Sequence, residues 1–267
     1  MSIPLDLSGT AAVITGGGSG IGRGTALAFA RRGAKIVVGD LREDRANEVA
    51  AEVVAAGGEA IGVGCDVSSE ADIEALREAA LSAYGRLDVI MNNVGILAMG
   101  APESLPDEAW ARSVDINIMS IARSNRVFLP ALIEQGHGHV VNTASANGLL
   151  AYGFDRLPYV ATKHAVVGLT EALALYLAPK GVGVTLLCPS GVKTNVMEGV
   201  VGYGTTSSRP VAPKHALSEP EDVGERVGAA VSQGRFLVTT APEIIGELAE
   251  RGTDLDGYLQ ARIAELT

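Results

Sequence analysis

The sequence predicts an α/β fold in which a parallel sheet is covered by helices on both faces. Short runs rich in valine and isoleucine alternate with longer, alanine-rich amphipathic stretches, and this alternation is typical of β–α–β units. The 267 residues are 47% hydrophobic and 19% charged, so the chain can bury a sizeable core. No internal repeat or charged linker divides it. We therefore expect residues 1–267 to form a single doubly wound domain.

Seven runs are strand candidates, because each is too short and too apolar to form a surface helix. We predict strands over residues 11–15, 35–40, 60–65, 87–92, 139–144, 183–188 and 236–239. Longer stretches have helical periodicity, and several end at a glycine, which readily closes a helix. We predict helices over residues 21–32, 43–56, 70–84, 107–135 with a break, 158–180 and 219–233. Residues 193–217 interrupt the periodicity, and we interpret them as a substrate-binding lid because they follow the carboxyl end of a strand.

The charge balance limits the partners of the chain. Lysine and arginine number 21 against 31 acidic residues, and the resulting net charge of -10 has the wrong sign for nucleic acid or an anionic membrane surface. The chain starts without a basic, apolar leader, and no apolar run reaches the roughly 18 residues of a membrane span. Cys65 and Cys188 each end an apolar run and are expected to be buried thiols. We expect a cytoplasmic protein with no nucleic-acid or membrane partner.

A glycine-rich turn stands between the first predicted strand and the first predicted helix. Backbone without Cβ atoms can approach a pyrophosphate closely, and the free N–H groups at the start of the helix attract the anion. Glycines also serve ordinary tight turns, but the position between strand and helix favours nucleotide binding. We expect the phosphates to lie against Gly16, Ser19, Gly20, Ile21 and Gly22.

Asp40 ends the second predicted strand, where a dinucleotide-binding fold places an acidic residue against the adenosine ribose. It follows Gly22 at close to the usual separation of roughly 20 residues. The carboxylate can accept the ribose hydroxyls and would repel a 2′-phosphate, so we expect NAD in preference to NADP. A helix-capping role for Asp40 is the alternative, and Arg42 nearby leaves room for NADP.

Tyr159 and Lys163 are four residues apart in a predicted helix and therefore lie on one face of it. A neighbouring ammonium favours the phenolate and lowers the tyrosine pKa, so that Tyr159 can exchange a proton with an alcohol or a carbonyl. Ser145 follows a predicted strand at the same edge of the sheet and can hydrogen-bond a substrate oxygen. The tyrosine–lysine pair alone is a weak signal, but the three residues together predict an acid–base site.

These motifs resemble those of the short-chain dehydrogenase/reductase family over nearly the whole chain. The family's TGxxxGxG glycines fall on Gly16, Gly20 and Gly22, and its NNAG motif falls on residues 92–95. The resemblance implies a Rossmann-type fold and a catalytic tetrad of Asn117, Ser145, Tyr159 and Lys163. It also implies cofactor contacts from Asp66, Val67, Asn93, Gly95, Tyr159, Lys163, Pro189, Gly191, Val192 and Thr194.

Three features depart from the family pattern. Val94 stands where alanine is usual, which adds volume beside the nucleotide. The common Pro-Gly pair after the sixth strand contains one residue more here, Ser190, and the loop between Ser145 and Tyr159 is also one residue longer. These insertions affect the nicotinamide contacts and the substrate contacts.

We predict an oxidoreductase that transfers a hydride between NAD and a secondary alcohol or ketone, with Tyr159 as general acid or base. One alternative is an NADPH-dependent reductase of acyl thioesters or other biosynthetic carbonyls, which shares the catalytic residues but is disfavoured by Asp40. A second alternative is a nucleotide-sensing protein without turnover, which would have little reason to keep the tetrad. We expect a mostly apolar substrate pocket that includes Ile96, Leu97, Leu149, Tyr152, Phe154 and Met197.

No metal site is expected, because His137 and His139 have no third ligand nearby in sequence. Residues 159–178 are apolar around most of the predicted helix, which must therefore be buried on more than one side. One side can pack on the sheet, and the other fits the same helix of a two-fold-related copy. We expect a homodimer or a homotetramer, as the resemblance also implies.

Overall fold

The computed structural model describes residues 3–204 and 214–266, and this part of the chain contains the predicted parallel sheet. Its strands are β1 (Ala11–Thr15), β2 (Lys35–Asp40), β3 (Glu59–Gly64), β4 (Val89–Asn92), β5 (Leu97–Met99), β6 (Gly138–Thr143), β7 (Val182–Cys188), β8 (Val200–Gly202) and β9 (Leu237–Thr239). Seven of them form one sheet in the order β3-β2-β1-β4-β6-β7-β9, and all its neighbouring strands are parallel. The order reverses at β1, and ligands of such sheets bind at the carboxyl ends of the strands beside this switch point.

Helices connect the strands and cover both faces of the sheet. They are α1 (Gly20–Ala30), α2 (Glu43–Ala55), α3 (Glu70–Tyr84), α4 (Asp107–Val114), α5 (Ser120–Gln135), α6 (Leu157–Leu177), α7 (Pro220–Gln233), α8 (Glu243–Thr253) and α9 (Leu255–Leu266). The α/β fold predicted from the sequence is confirmed, and each predicted boundary lies within three residues of the observed one.

Two large apolar clusters join the helices to the sheet. Ile14 of β1 belongs to the cluster that contains Phe29 of α1 and Val227 of α7. The preceding residue, Val13, belongs to the cluster on the opposite face, together with Phe128 of α5. Because successive side chains of a strand point to opposite faces, strands covered on both sides need continuous apolar runs. This requirement explains why the runs were recognisable in the sequence.

The break expected within residues 107–135 is a π-helical turn, Asp115–Met119, between α4 and α5. Four elements were not predicted from the sequence: β5, β8, α8 and α9. The strands β5 and β8 have three residues each and pair only with one another, so no periodicity marks them. Glycines at positions 246, 252 and 257 interrupt the helical pattern of α8 and α9.

Residues 193–217, expected to be an irregular lid, are described in part. A 3₁₀ turn at Asn195–Gly199 leads directly into β8, and residues 214–217 lead towards α7. The stretch 205–213 lies outside the described residues. Across the part of the chain that is described, no helix is long and apolar enough to cross a membrane.

Candidate active site

The glycine-rich turn joins the carboxyl end of β1 to the start of α1, as the sequence predicts. Gly20 has a positive φ of 50°, and a Cβ added there would lie 2.8 Å from the Thr194 side chain. A Cβ on Gly22 would lie 2.1 Å from the Gly16 carbonyl oxygen. Both positions therefore require glycine. Ser19 precedes α1 without a side-chain cap, so the first N–H groups of the helix face the turn without a side-chain acceptor.

Asp40 lies at the end of β2, directly beside this turn. Its Oδ2 accepts a hydrogen bond of 3.0 Å from the Gly18 backbone N–H. Its Oδ1 accepts one of 3.0 Å from the Arg42 backbone N–H. The Arg42 guanidinium is paired with Asp44, and the Arg45 guanidinium lies 2.9 Å from Glu198 Oε2. The Arg42 and Arg45 side chains are thus each paired with a carboxylate other than Asp40.

Asp66 and Val67 follow β3 at the same edge of the sheet. Asp66 Oδ1 accepts hydrogen bonds from the Ser68 backbone N–H at 2.9 Å and from the Ser68 hydroxyl at 2.7 Å. These two bonds lower the pKa of the Asp66 carboxyl. Val67 is buried. The resulting turn places an ionised carboxylate and a buried apolar side chain beyond the end of β3.

Asn93 and Gly95 lie beyond the end of β4 and connect the nucleotide turn to the centre of the sheet. The Asn93 backbone N–H donates to Thr15 Oγ1 at 3.1 Å, and its amide Nδ2 donates to the Gly16 carbonyl at 3.3 Å. The Thr143 hydroxyl donates to Asn93 Oδ1 at 3.3 Å. Gly95 lies beside the Lys163 ammonium. This segment therefore joins the turn after β1 to the acid–base residues.

Ser145, Tyr159 and Lys163 come together at the carboxyl ends of β6 and β7. The Lys163 ammonium donates to the Thr143 carbonyl at 2.9 Å and lies 5.7 Å from the centre of the Tyr159 ring. Ser145 is buried, its Oγ lies 3.5 Å from the Pro189 carbonyl, and its hydroxyl is hydrogen-bonded to Tyr159. The three side chains that the sequence joined into one site are thus neighbours.

Burial dominates the electrostatics of this group. It raises the pKa of Tyr159 above its ordinary value, although the hydrogen bond with Ser145 and the charge of Arg156 act in the opposite direction. Burial lowers the pKa of Lys163 to about 8. The Tyr159 pKa is therefore raised overall, where the sequence led us to expect a lowered value, because desolvation of the phenolate is the larger effect.

Asn117 lies in the π-helical turn between α4 and α5 and is buried. Its Oδ1 accepts from the Ile96 backbone N–H at 2.8 Å, and its Nδ2 donates to the Ile96 carbonyl at 3.2 Å and to Thr162 Oγ1 at 2.9 Å. The side-chain amide thus fixes the segment after β4 against α6. Single π-helical turns of this kind are frequent at functional sites.

The loop after β7 reaches back to the nucleotide turn. Val192 pairs with Ser218, and Thr194 lies against Gly20. Ser190 donates its backbone N–H to Thr240 Oγ1 at 2.9 Å, and its hydroxyl lies 2.9 Å from His215 Nδ1. Sequence analysis found no role for His215, because it lies in an irregular segment without a motif.

The residues expected to line the substrate pocket lie in different surroundings. Leu97 is part of β5, and Leu149 and Tyr152 are buried in one apolar cluster. Ile96 is held through its backbone by Asn117. The side chain of Met197 lies outside the described part of the chain.

Phe154 lines a cavity of about 600 Å³ on the outer side of α6. The other lining residues are Trp110, Ala151, Gly153, Leu157, Val160, Ala161, His164, Leu259, Arg262 and Ile263. None of them belongs to the tetrad. Among the described residues, no group of three or more histidine, cysteine or acidic side chains could hold a metal ion.

Comparisons with known proteins agree with this geometry. Residues 10–201 match the family model described as short chain dehydrogenase. Cyclohexanol dehydrogenase of Acinetobacter sp. (strain SE19) is 36% identical over 88% of this chain and 92% of the relative. D-beta-hydroxybutyrate dehydrogenase of Cupriavidus necator is 38% identical over 91% of this chain and 90% of its own. A short-chain dehydrogenase/reductase of Burkholderia phymatum, solved in complex with NAD, superposes with a TM-score of 0.83 at 33% identity, covering 94% of this chain and 96% of that one. The chain therefore belongs to the short-chain dehydrogenase/reductase family.

Proposed function

We propose that the protein is an NAD-dependent dehydrogenase that oxidises a secondary alcohol, or reduces the corresponding ketone, with Tyr159 as general base or acid. One observation carries the proposal: Ser145, Tyr159 and Lys163 meet at the carboxyl edge of the sheet, next to the segment that binds the glycine turn. A hydride acceptor held by that turn and an alcohol held by Ser145 would thus meet at one place.

NAD fits the residues at this edge. Gly20 and Gly22 leave space where any Cβ would collide, and the N-terminus of α1 presents its N–H groups to the pyrophosphate. We assign the adenosine ribose hydroxyls to Asp40. Bound nicotinamide supplies the hydride chemistry. By family resemblance we assign the adenine to Asp66 and Val67, and the nicotinamide to Pro189, Gly191, Val192 and Thr194.

The reaction needs a group that removes the alcohol proton. We assign this step to Tyr159, while Ser145 holds the substrate oxygen and stabilises it as carbonyl character develops. The Asn147 backbone N–H donates to Ser145 Oγ at 3.1 Å, which fixes the serine oxygen. Lys163 keeps two N–H donors besides its bond to Thr143, and we assign them to the nicotinamide ribose. Its charge then stabilises the phenolate, and by family resemblance we assign to Asn117 the water that relays the proton.

We propose an apolar or cyclic secondary alcohol as the substrate class. The relative named cyclohexanol dehydrogenase supports this choice, since it is similar over most of this chain. The segments next to the tetrad also contain buried leucines, Leu97 and Leu149, which make the surroundings of the proposed substrate site apolar. We further propose that residues 193–217 act as the substrate-binding segment of a single catalytic domain.

The experiment is to supply the purified protein with NAD and a panel of secondary alcohols that includes cyclohexanol, 3-hydroxybutyrate and steroid-like alcohols, and to follow NADH absorbance. We expect turnover with at least one cyclic alcohol and none by Tyr159→Phe. Binding of NADH without turnover of any alcohol or ketone would favour the sensing alternative. Faster turnover with NADPH and an acyl-thioester ketone would favour the biosynthetic reductase.

We also propose that the protein is a homodimer or a homotetramer in which α6 meets its two-fold copy. Leu175 is 81% exposed on this helix, and Tyr176 beside it is exposed too. Between them and the cavity next to Phe154, the outer face of α6 carries the small residues Ala161, Ala165 and Gly168, which allow two helices to approach closely. An apolar helix face of this kind is more stable when it is buried, and the same face of a two-fold-related copy can bury it. The buried, unpaired Cys65 and Cys188 suit the cytoplasmic location that we propose.

A further inference from the structure

A second group of polar side chains lies behind the loop that follows β7, and the reaction proposed above does not use it. His215 is buried, with Nδ1 2.9 Å from Ser190 Oγ and Nε2 3.3 Å from Glu247 Oε1. The Tyr152 hydroxyl donates to Glu247 Oε2 at 2.7 Å. The Lys214 ammonium lies 3.3 Å from Glu247 Oε1. We call Tyr152, Ser190, His215 and Glu247 the latch.

The latch joins four segments that are distant in sequence. Ser190 belongs to the loop after β7, which we assign to the nicotinamide. Tyr152 belongs to the loop that leads from Ser145 into α6. His215 belongs to the segment that leads into α7, and Glu247 lies on α8. The loop after β7 and the loop before α6 therefore both end on the Glu247 carboxylate, the first through His215 and the second directly through Tyr152.

A short path connects the latch to the acid–base residues. Pro189, next to Ser190, accepts at its carbonyl a hydrogen bond of 2.8 Å from the Ala146 backbone N–H. The same carbonyl lies 3.5 Å from Ser145 Oγ. The backbone N–H of Ser190 is held by Thr240 at 2.9 Å. A displacement of Ser190 would therefore also shift Ser145, which we assign to the substrate oxygen.

The donors and acceptors of the latch match without an added proton. A neutral imidazole donates from Nε2 to Glu247 and accepts at Nδ1 from the Ser190 hydroxyl. Burial by itself would raise the pKa of the Glu247 carboxyl, but hydrogen bonds from Tyr152, Lys214 and His215 lower it. Glu247 is thus an ionised acceptor with three donors. Well-packed apolar side chains often stabilise a buried space as well as charged ones do, so we take the polar set as a means of fixing one arrangement.

We propose that His215 and Glu247 are positioning residues, which hold the nicotinamide loop through Ser190 and the substrate loop through Tyr152 at a fixed separation. The inference rests on the proposed dehydrogenase activity and adds residues to it that lie beyond the family match at residues 10–201. Ser190 contributes its hydroxyl to this arrangement, because a glycine at this position would offer His215 no hydroxyl.

The first test compares Glu247→Gln with Glu250→Gln, which removes the same charge from an exposed position of α8. For Glu247→Gln we expect KM for NAD and for the alcohol to rise about tenfold, the loss of one hydrogen bond to a charged group, with kcat reduced less than threefold. Glu250→Gln should match the wild type. Equal kinetics of the two variants would overturn the proposal, as would a lower Tm of Glu247→Gln with unchanged KM.

The second test is a double-mutant cycle between Ser190→Ala and His215→Phe. Phenylalanine keeps the ring that packs edge-on against Tyr152 at 5.6 Å but removes both nitrogens. We expect Ser190→Ala to raise KM for NAD several-fold in the wild type and to have no further effect in His215→Phe. The same increase in both backgrounds would show that Ser190 does not act through His215.

The two proposals fail in different ways. If the wild type oxidises no alcohol, the proposed function fails, and the same variants are compared by the Kd of NADH, measured by its fluorescence. Weaker NADH binding by Glu247→Gln than by Glu250→Gln would then still support the latch. An active wild type whose KM and NADH Kd are indifferent to all three latch substitutions would overturn the latch alone.

Discussion

The Lys163 ammonium lies 5.7 Å from the centre of the Tyr159 ring and is tied to the Thr143 carbonyl at 2.9 Å. Tyr159 is held by α6, whereas Thr143 ends β6, so helix and strand together fix the distance between charge and phenol. Burial opposes ionisation of both groups, since it raises the pKa of Tyr159 and lowers that of Lys163 to about 8. Burying the two groups therefore costs folding free energy, and strongly shifted pKa values of this kind are typical of functional sites.

Tyr159→Phe should separate binding from turnover. The glycine turn and Asp40 do not contact the Tyr159 hydroxyl, so we expect the Kd of NADH to change less than about twofold. Loss of the proton-transfer group should reduce kcat at least about 100-fold. Tyr176→Phe removes a hydroxyl from an exposed position of the same helix and should remain fully active. A Tyr159→Phe variant with most of its kcat would contradict the acid–base assignment.

Lys163→Met should inactivate the enzyme and stabilise the cofactor-free protein. Methionine has a similar length and fills the same space, and it removes a buried ammonium whose pKa is lowered to about 8. We expect kcat to fall at least about 100-fold and Tm to rise. Lys180→Met, in the turn after the same helix, is the control: it removes an ammonium that lies over the Tyr176 ring and should leave kcat unchanged without raising Tm. A Tm below that of the wild type would count against the idea that the charge is kept at a cost.

Asp40→Ser should weaken the preference for NAD. Serine can still accept a hydrogen bond from the Gly18 N–H, but it no longer repels a 2′-phosphate. We expect the ratio of kcat/KM for NAD to that for NADP to fall at least about tenfold, measured with one alcohol. Asp256→Ser, an exposed change on α9, should leave the ratio unaltered. Comparable kcat/KM for both cofactors in the wild type would promote the NADPH-reductase alternative.

His139 should make the protein sensitive to acid. Burial lowers its pKa from 6.5 to about 3, so below pH 6.5 the unfolded chain binds a proton that the folded protein does not. The free energy of unfolding should then fall by up to about 1.4 kcal/mol per pH unit between these two values. His139→Gln should lose less stability than the wild type between pH 7 and pH 5 in urea titrations. Parallel losses in the two proteins would refute this assignment.

The proposed contact through α6 can be tested by light scattering. At micromolar concentration we expect two or four times the chain mass of 27.4 kDa. Leu175→Asp places a charge on the exposed face of that contact and should lower the mass. Val54→Asp, on the exposed side of α2, should leave it unchanged. A wild-type mass equal to one chain would exclude the contact and leave the outer face of α6 unexplained.

The seven-stranded sheet could be predicted because its strands are buried on both faces, which imposes runs such as those around Val13 and Ile14. The nucleotide turn and the tyrosine–lysine pair could be predicted because their chemistry depends on spacing along one element. Both signals are local in sequence.

The latch could not be predicted, because Ser190, His215 and Glu247 acquire a role only when three distant segments fold together. The direction of the Tyr159 pKa shift was missed for a related reason. Spacing along the helix places Lys163 near the phenol, but it says nothing about how much water the surrounding loops remove.

The small sheet of β5 and β8 gives the site a mechanical property. β5 begins one residue after Ile96, whose backbone Asn117 holds on both sides, and β8 belongs to the segment beyond the nicotinamide loop. The Tyr203 backbone N–H extends this pairing to the Met99 carbonyl at 2.8 Å. Backbone hydrogen bonds thus join the segment after β4 to the segment that we propose to bind the substrate. We therefore expect these paired strands to act together on an entering substrate. Larger side chains at residues 97–99 and 200–202 should slow the binding of large alcohols and leave the rate of the chemical step unchanged.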